Sequence, residues 1–419
     1  MLFRNTKGPP SMASLTRSLI ERRSALLVYV LLGSVAGCSR PYADAGDPPK
    51  ENAAQAVSGP RDLASASTWD KKAAAVYLNQ RETWWIQWEA AKRDHDTFCV
   101  SCHTTLPFIF AQPALRGVSS ESNYADSTST IIENVKKRVR LWNSVTSYYG
   151  DKYDGAGNGP GSRATEAVLN ALILACHDSQ TGQLGDEALL AFRNMWALQL
   201  TSGSDKGGWL WQKFALSPWE SGDSPYFGAT MAALAVGMAP ASYRSNPDIQ
   251  NNLWLLKGYL AREYSQQSLL NRVGLLWATT KWPGLLTSSQ QKSLIDEVYE
   301  KQHVDGGWNL SSLMWSPRYL GIPSLLAMWR RNDGTPQEAG SDGLATGYVA
   351  FVLQQTDATH DDRRLSNARA WLARNQNTTE GYWTAFSLNK RRDPNSNVGR
   401  FMTDAATAFA VLALSEKGS

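Results

Sequence analysis

The sequence predicts an all-α protein built from paired helices, and three observations carry that reading. Apolar residues recur at helical spacing in twelve stretches, while strand-like alternation is almost absent. Four stretches open on an Ala-Thr step, at Thr165, Thr230, Thr346 and Thr407, and small residues there allow the close packing that an inner ring of helices needs. Between stretches Gly and Trp stand close together, as Gly207-Gly208-Trp209, Gly306-Gly307-Trp308 and Gly381-Tyr382-Trp383. The Thr positions are 65, 116 and 61 residues apart, and Leu270-Asn-Arg-Val-Gly-Leu-Leu-Trp277 fills the missing place in the doubled gap.

Composition excludes two classes at once. A chain of 419 residues that is 42% apolar buries a sizeable core, and only 4 Cys cannot staple it. The formal charge of +4 resides entirely in residues 1–37, through Arg4, Lys7, Arg17, Arg22 and Arg23 against Glu21. The remainder is balanced, which gives no electrostatic footprint for nucleic acid.

Taken in chain order, the first element is an address. Basic residues through Arg23 precede the apolar stretch 25–37 and then Cys38, the order of an export signal whose apolar part is short for a bilayer span. Val35-Ala36-Gly37-Cys38 resembles the bacterial lipoprotein box. That resemblance implies lipidation at Cys38, a signal peptide over 1–37, and a chain anchored by lipid in the cell envelope and facing the periplasm. Ser39 after the Cys implies the outer membrane. Residues 38–65, rich in Pro, Ala, Ser and Asp, read as a flexible tether.

The helical stretches then run at 68–92, 131–148, 164–177, 184–200, 227–239, 246–263, 266–280, 288–302, 320–330, 341–355, 361–375 and 402–416. Between the first two lies Cys99-Val100-Ser101-Cys102-His103. This spacing is the pattern of c-type haem attachment, in which two thiols add to the porphyrin vinyl groups and the adjacent His ligates the iron. Roughly 5 chains in 10,000 of this composition would carry it by accident. The motif therefore predicts covalent haem c on Cys99 and Cys102, with His103 as the metal ligand. Two alternatives stay open: a Cys99–Cys102 disulfide, or a metal site using His95 and His103. No Met stands between His103 and Met195, so a sixth ligand would come from His95, His177, His303, His360, a later Met, or nowhere. Cys176 reads as a buried thiol at the end of an apolar helix.

Gln302…Gly306-Gly307-Trp308 and Gln376…Gly381-Tyr382-Trp383, with a degenerate copy at Gly207-Gly208-Trp209, resemble the Gln…Gly-x-Trp repeats of the squalene–hopene cyclase family. Over about 130–419 the resemblance implies an (α/α)6 toroid of the terpenoid cyclase type. Residues 66–160 then form the first helix pair, with a c-type haem-binding insertion at about 93–130, and 161–419 the remaining hairpins. The paired-Asp acid motif of the cyclases is missing: Asp342 and Asp404 each stand alone and read as helix N-caps. Nor does the chain carry the zinc ligands of protein prenyltransferases. Trp84-Trp85-Ile86-Gln87-Trp88 reads as a helix face packed on the toroid, and Asp151–Gly161 as an ordinary loop.

The expected function is that of a membrane-tethered c-type haem protein in electron transfer or haem-based redox chemistry. It would exchange electrons with a partner protein or a small oxidant, and its toroid offers an apolar cavity to a small molecule. The alternatives are a scaffold lipoprotein with a disulfide and a cyclase-like enzyme.

Overall fold

A computed structural model describes residues 68–115, 122–149, 159–316, 329–356 and 362–415. The signal at 1–37, Cys38, the tether, His360, the greater part of the Asp151–Gly161 loop and most of the helix expected at 320–330 lie outside the described residues. Twelve helices of eleven residues or more are described: α1 Lys71–Gln87, α2 Thr105–Leu115, α3 Ser122–Arg140, α4 Gly159–Asp178, α5 Asp186–Ala197, α6 Ser224–Met238, α7 Gln250–Glu263, α8 Leu269–Lys281, α9 Ser288–Glu300, α10 Gly343–Gln355, α11 Arg363–Arg374 and α12 Phe401–Leu414. The described strands form one short hairpin, β1 Lys92–Arg93 and β2 Thr97–Phe98, antiparallel with Lys92 opposite Phe98.

The helices alternate between two concentric layers. The even-numbered ones pack each on the next, α2 on α4, α4 on α6, α6 on α8, α8 on α10 and α10 on α12, and α12 returns to α2. The odd-numbered helices stand behind them, with α5, α7, α9 and α11 backing α4, α6, α8 and α10. This closed double ring is an (α/α)6 toroid. The chemistry of each layer agrees with its place. Inner α6 buries residues on every side, from Ser224 to Val236, whereas outer α11 buries only the stripe Leu365, Ala368, Trp371 and Leu372.

The region expected to be an insertion belongs to the ring. Residues 105–115 form α2, the first inner helix, and the next outer helix begins at Ser122 rather than near 131. The sequence conceals both: α2 is apolar on all faces, like other inner helices, and the first half of α3 is too polar to show a period.

A clamp that occurs three times among the described residues joins an outer helix to the following pair. Trp308 and Trp383 are wholly buried, and each indole N–H donates to a carbonyl of the preceding outer helix, Val298 at 2.8 Å and Leu372 at 2.7 Å. The paired glutamine spans two neighbours: Gln302 donates to Gly306 O and to Arg364 O on the next outer helix. The copy at 207–209 is complete after all. Its glutamine is Gln199, set further back, which donates to Gly207 O and Asn252 O, while Trp209 donates to Met195 O. The inner-helix threonines belong to the same device, since Thr346 and Thr407 accept the backbone N–H of Trp308 and Trp383.

The last clamp closes the circle. Gln376 donates to Gly381 O and to Asp70 O, and accepts from Asp70 N at 2.7 Å, so the sixth repeat grips the start of α1. Gly381 sits at φ +81°, and a Cβ there would collide with the Ala73 backbone. Gly381→Ala should therefore cost about 3 kcal/mol or more in urea unfolding. Gly334→Ala is the control: φ is +80° with open space around it, and the cost should be only about 1 kcal/mol.

Candidate functional site

The Cys99–His103 segment occupies the junction between α1 and α2, the place where later repeats carry their Gly-x-Trp turn. Its backbone is held from three sides. Asn134 on α3 bonds both the N–H and the carbonyl of Phe98, Trp85 on α1 donates to Cys99 O at 2.7 Å, and Cys99 N donates to Ala91 O. The turn before it bends through His95 and Asp96 at φ near +50°, a conformation that Asp and His tolerate better than most side chains. Ser101 then starts the helix. Its Oγ accepts from Thr104 N and Thr105 N, and its carbonyl accepts from Leu106 N, so the chain is already turning at Cys102 and His103. That capping role for a residue inside the Cys-x-x-Cys spacing has no signature in the motif alone.

Both thiols are buried and free. A helix start lowers a thiol pKa, but burial is the larger effect here: it pushes Cys99 up to about 12 and Cys102 well above its ordinary value. Glu220 adds a negative charge near both, and its own carboxyl is raised by burial to about 7. These thiols are therefore protonated and inert as nucleophiles in the folded protein.

His103 sits in an aromatic box. Its ring stacks on Phe401 with centroids 3.8 Å apart, meets the edge of Trp85 at 5.1 Å and lies 6.4 Å from Trp219. Burial lowers its pKa to about 3, with Arg81 and Arg392 adding to the effect, so the imidazole is neutral. Its Nδ1 lies 2.8 Å from Thr104 Oγ1, and Thr104 donates its own proton to Asp404 Oδ2, also at 2.8 Å. Asp404 in turn accepts from Arg81 Nε at 2.7 Å, from Arg81 Nη2 at 3.1 Å and from Tyr77 OH at 2.9 Å. Burial raises the Asp404 pKa, and these four hydrogen bonds, two of them from a guanidinium, keep it the acceptor. Since the Thr104 proton is committed to Asp404, Thr104 must accept from His103. The imidazole is thus the Nδ1–H tautomer, with its lone pair on Nε2.

Asp404 is consequently not the helix cap that its position suggests. α12 begins at Phe401, three residues earlier, and the carboxylate reaches across to α1 and α2. Asp342 does cap α10, accepting from Leu344 N and Ala345 N, and it also accepts from Leu310 N. The remaining histidines lie apart: His177 bonds Asp178 and His303 bonds Ser341. Among the described residues no group of three His, Cys, Asp or Glu is placed to hold a metal ion, so the site with His95 is not assembled. Cys176 is half-buried rather than buried, beside a second cavity at the far end of the inner ring.

An axial cavity runs beside the motif, lined by Cys102, Leu106, Trp219, Met231, Trp277 and Phe409 among others. Its free volume is about 40 Å³, room for a water or two. Trp219 and Trp277 line it, while Trp209, Trp308 and Trp383 are wedges between helices. A polyprene or a porphyrin enters this space only if the wall repacks.

No protein-family model and no curated protein matches the chain. Solved structures are similar to it at low identity. An alpha-1,6-mannanase, GH76A of Salegentibacter sp. HEL1_6, has TM-score 0.45 and 11% identity, over 82% of this chain and 99% of that one. A possible member of the GH105 family from Klebsiella pneumoniae gives 0.46 and 11%, over 85% and 94%. A type II terpene cyclase from Scytonema, in complex with geranylgeranyl dihydroxybenzoate, gives 0.40 and 11%, over 82% and 98%. The chain's own ring of helices makes it an all-α toroid.

One buried group near the motif has a measurable consequence. Glu82 on α1 is wholly buried, bonded among the described residues by Thr105 alone, and burial raises its pKa to about 8. The folded protein thus keeps a proton that the unfolded chain releases above about pH 4.5. Stability should fall as pH rises from 5 to 8, by a few kcal/mol from this group. Glu82→Gln should flatten that fall in urea titrations at the two pH values.

Proposed function

We propose that the chain is an exported c-type haem protein, with haem bound covalently through Cys99 and Cys102 and its iron held by His103, acting in electron transfer or haem-based redox chemistry. The observation that carries the reading is the fixed tautomer of His103. A ligating imidazole must be neutral, with a free lone pair, and its other ring nitrogen ordinarily donates to a second group that orients it. His103 meets each condition through Thr104 and Asp404. The two thiols are not joined in a disulfide, so both remain available to the group before the ring closes. The packed cavity beside Cys102 requires local repacking to seat it.

When bound, haem supplies a one-electron couple in a largely apolar setting. The protein's own part is to orient His103, to keep its Nδ1 proton in place through the ionised Asp404, and to surround the ring with Trp85, Phe401 and Trp219. A lipid anchor at Cys38 would hold the chain at the envelope membrane, with the outer membrane as its place and the periplasm as the source of its redox partner. A binding or scaffold lipoprotein with a Cys99–Cys102 disulfide is the alternative if haem is absent.

The test is expression with a cytochrome c maturation system, followed by a reduced pyridine haemochrome spectrum after denaturing purification. A covalent band that is lost in Cys99→Ala/Cys102→Ala supports the proposal, and a colourless parent protein overturns it. Thr104→Val should keep the covalent band but shift the native spectrum, because His103 Nδ1 loses its acceptor.

A further inference from the structure

The inner ring has a second space at the end remote from the Cys99–His103 turn. There the last turns of all six inner helices surround a pocket of about 260 Å³. Ala114, Cys176, Met238, Trp277, Phe351 and Leu412 contribute one side chain each from α2, α4, α6, α8, α10 and α12. Lys281 and Gln355 line both this pocket and a polar cleft beside α9, so the two spaces adjoin and the cleft is the way in.

Two side chains in its wall carry a polar atom with no partner among the described residues, the indole Nε1 of Trp277 and Oε1 of Gln354. Trp277 is only 2% exposed and Gln354 6%. Trp277 departs from the habit of this chain: Trp85, Trp209, Trp211, Trp308 and Trp383, buried to a similar degree, each donate to a backbone carbonyl. The amide of Gln354 is oriented by Nε2, which donates to Ser415 O at 2.7 Å and leaves Oε1 for another donor. One donor and one acceptor thus stand unmade in a largely apolar wall, and buried polar groups of this kind ordinarily find partners. A single hydroxyl answers both, its oxygen accepting from the indole and its proton going to the amide oxygen. Six helix C-termini present partially negative ends to the pocket, which disfavours an anion. Lys281 is in its wall and no carboxylate lines it among the described residues, which disfavours a cation.

We infer that this pocket binds a neutral apolar alcohol or phenol of roughly ten non-hydrogen atoms, a size scaled from an apolar cavity of about 150 Å³ that holds benzene. The ring or chain of the ligand packs on Met238, Phe351 and Leu412, and its hydroxyl bridges Trp277 and Gln354. The inference stands apart from the haem reading, because the pocket shares no residue with the Cys99–His103 segment. A water held in the pocket would answer the same two atoms, so the test compares two probes that differ by the hydroxyl alone.

2-Naphthol and naphthalene are to be titrated into the full chain at pH 7 by isothermal calorimetry. 2-Naphthol should bind about ten-fold more tightly, the worth of one or two neutral hydrogen bonds. Trp277→Phe and Gln354→Leu should each erase most of that advantage while naphthalene binding changes little, and either variant suffices if the other fails to fold. Ala114→Phe should abolish binding of both probes by filling the pocket. Met231→Leu, on the axial cavity that Trp277 also lines, should leave both unchanged. The inference is overturned by absence of saturable 2-naphthol binding to the parent chain, or by equal affinity for the two probes. It is overturned equally by an advantage that survives Trp277→Phe or Gln354→Leu, or by binding that Met231→Leu removes and Ala114→Phe leaves intact.

Discussion

The structure depends on the closure made by Gln376. Each Gln–Gly–Trp unit spans an outer helix, a turn and the next outer helix, but the units at Gln199 and Gln302 tie only neighbours within an open arc. The third acts between Asp70 at the start of the described chain and a turn more than three hundred residues later. Its two-way hydrogen bonding to one residue's N–H and carbonyl fixes register as well as distance, and Gly381 lets the backbones approach because no side chain stands between them. Only when α12 lies against α2 is the inner ring complete.

The same junction concentrates the buried polar groups of the site. Tyr77 and Arg81 from α1, Thr104 from the start of α2 and Asp404 from α12 meet within hydrogen-bond distance and leave no oxygen of Asp404 unused. Removing one partner from such a set leaves a buried charge uncompensated, at a cost of about 3–5 kcal/mol. The network therefore serves two ends, holding the ends of the ring together and setting the protonation of one imidazole.

How much of this was legible in the sequence follows from the range of each interaction. The inner helices announced themselves through the Ala-Thr steps, and the clamps through Gly and Trp, because these are short-range requirements of packing and backbone. The haem-type motif was legible for the same reason. α2 was hidden because a helix buried on every face shows no period, and Gln199 because its loop is longer than those of Gln302 and Gln376. Asp404 looked like a cap since its partners, Tyr77, Arg81 and Thr104, are 300 or more residues away. The tautomer of His103 was out of reach for that reason: it is decided by a carboxylate that only the closed ring brings near.

The joining of the first repeat to the last also sets an order of events. During synthesis the Cys99 and Cys102 segment emerges early, whereas Phe401, Asp404 and Phe409 come near the end of the chain. Until that last helix docks, the thiols lack part of their cover and His103 lacks both its stacking partner and its oriented proton. Any modification of the two cysteines is thus confined to the open arc, and ring closure acts afterwards as a seal.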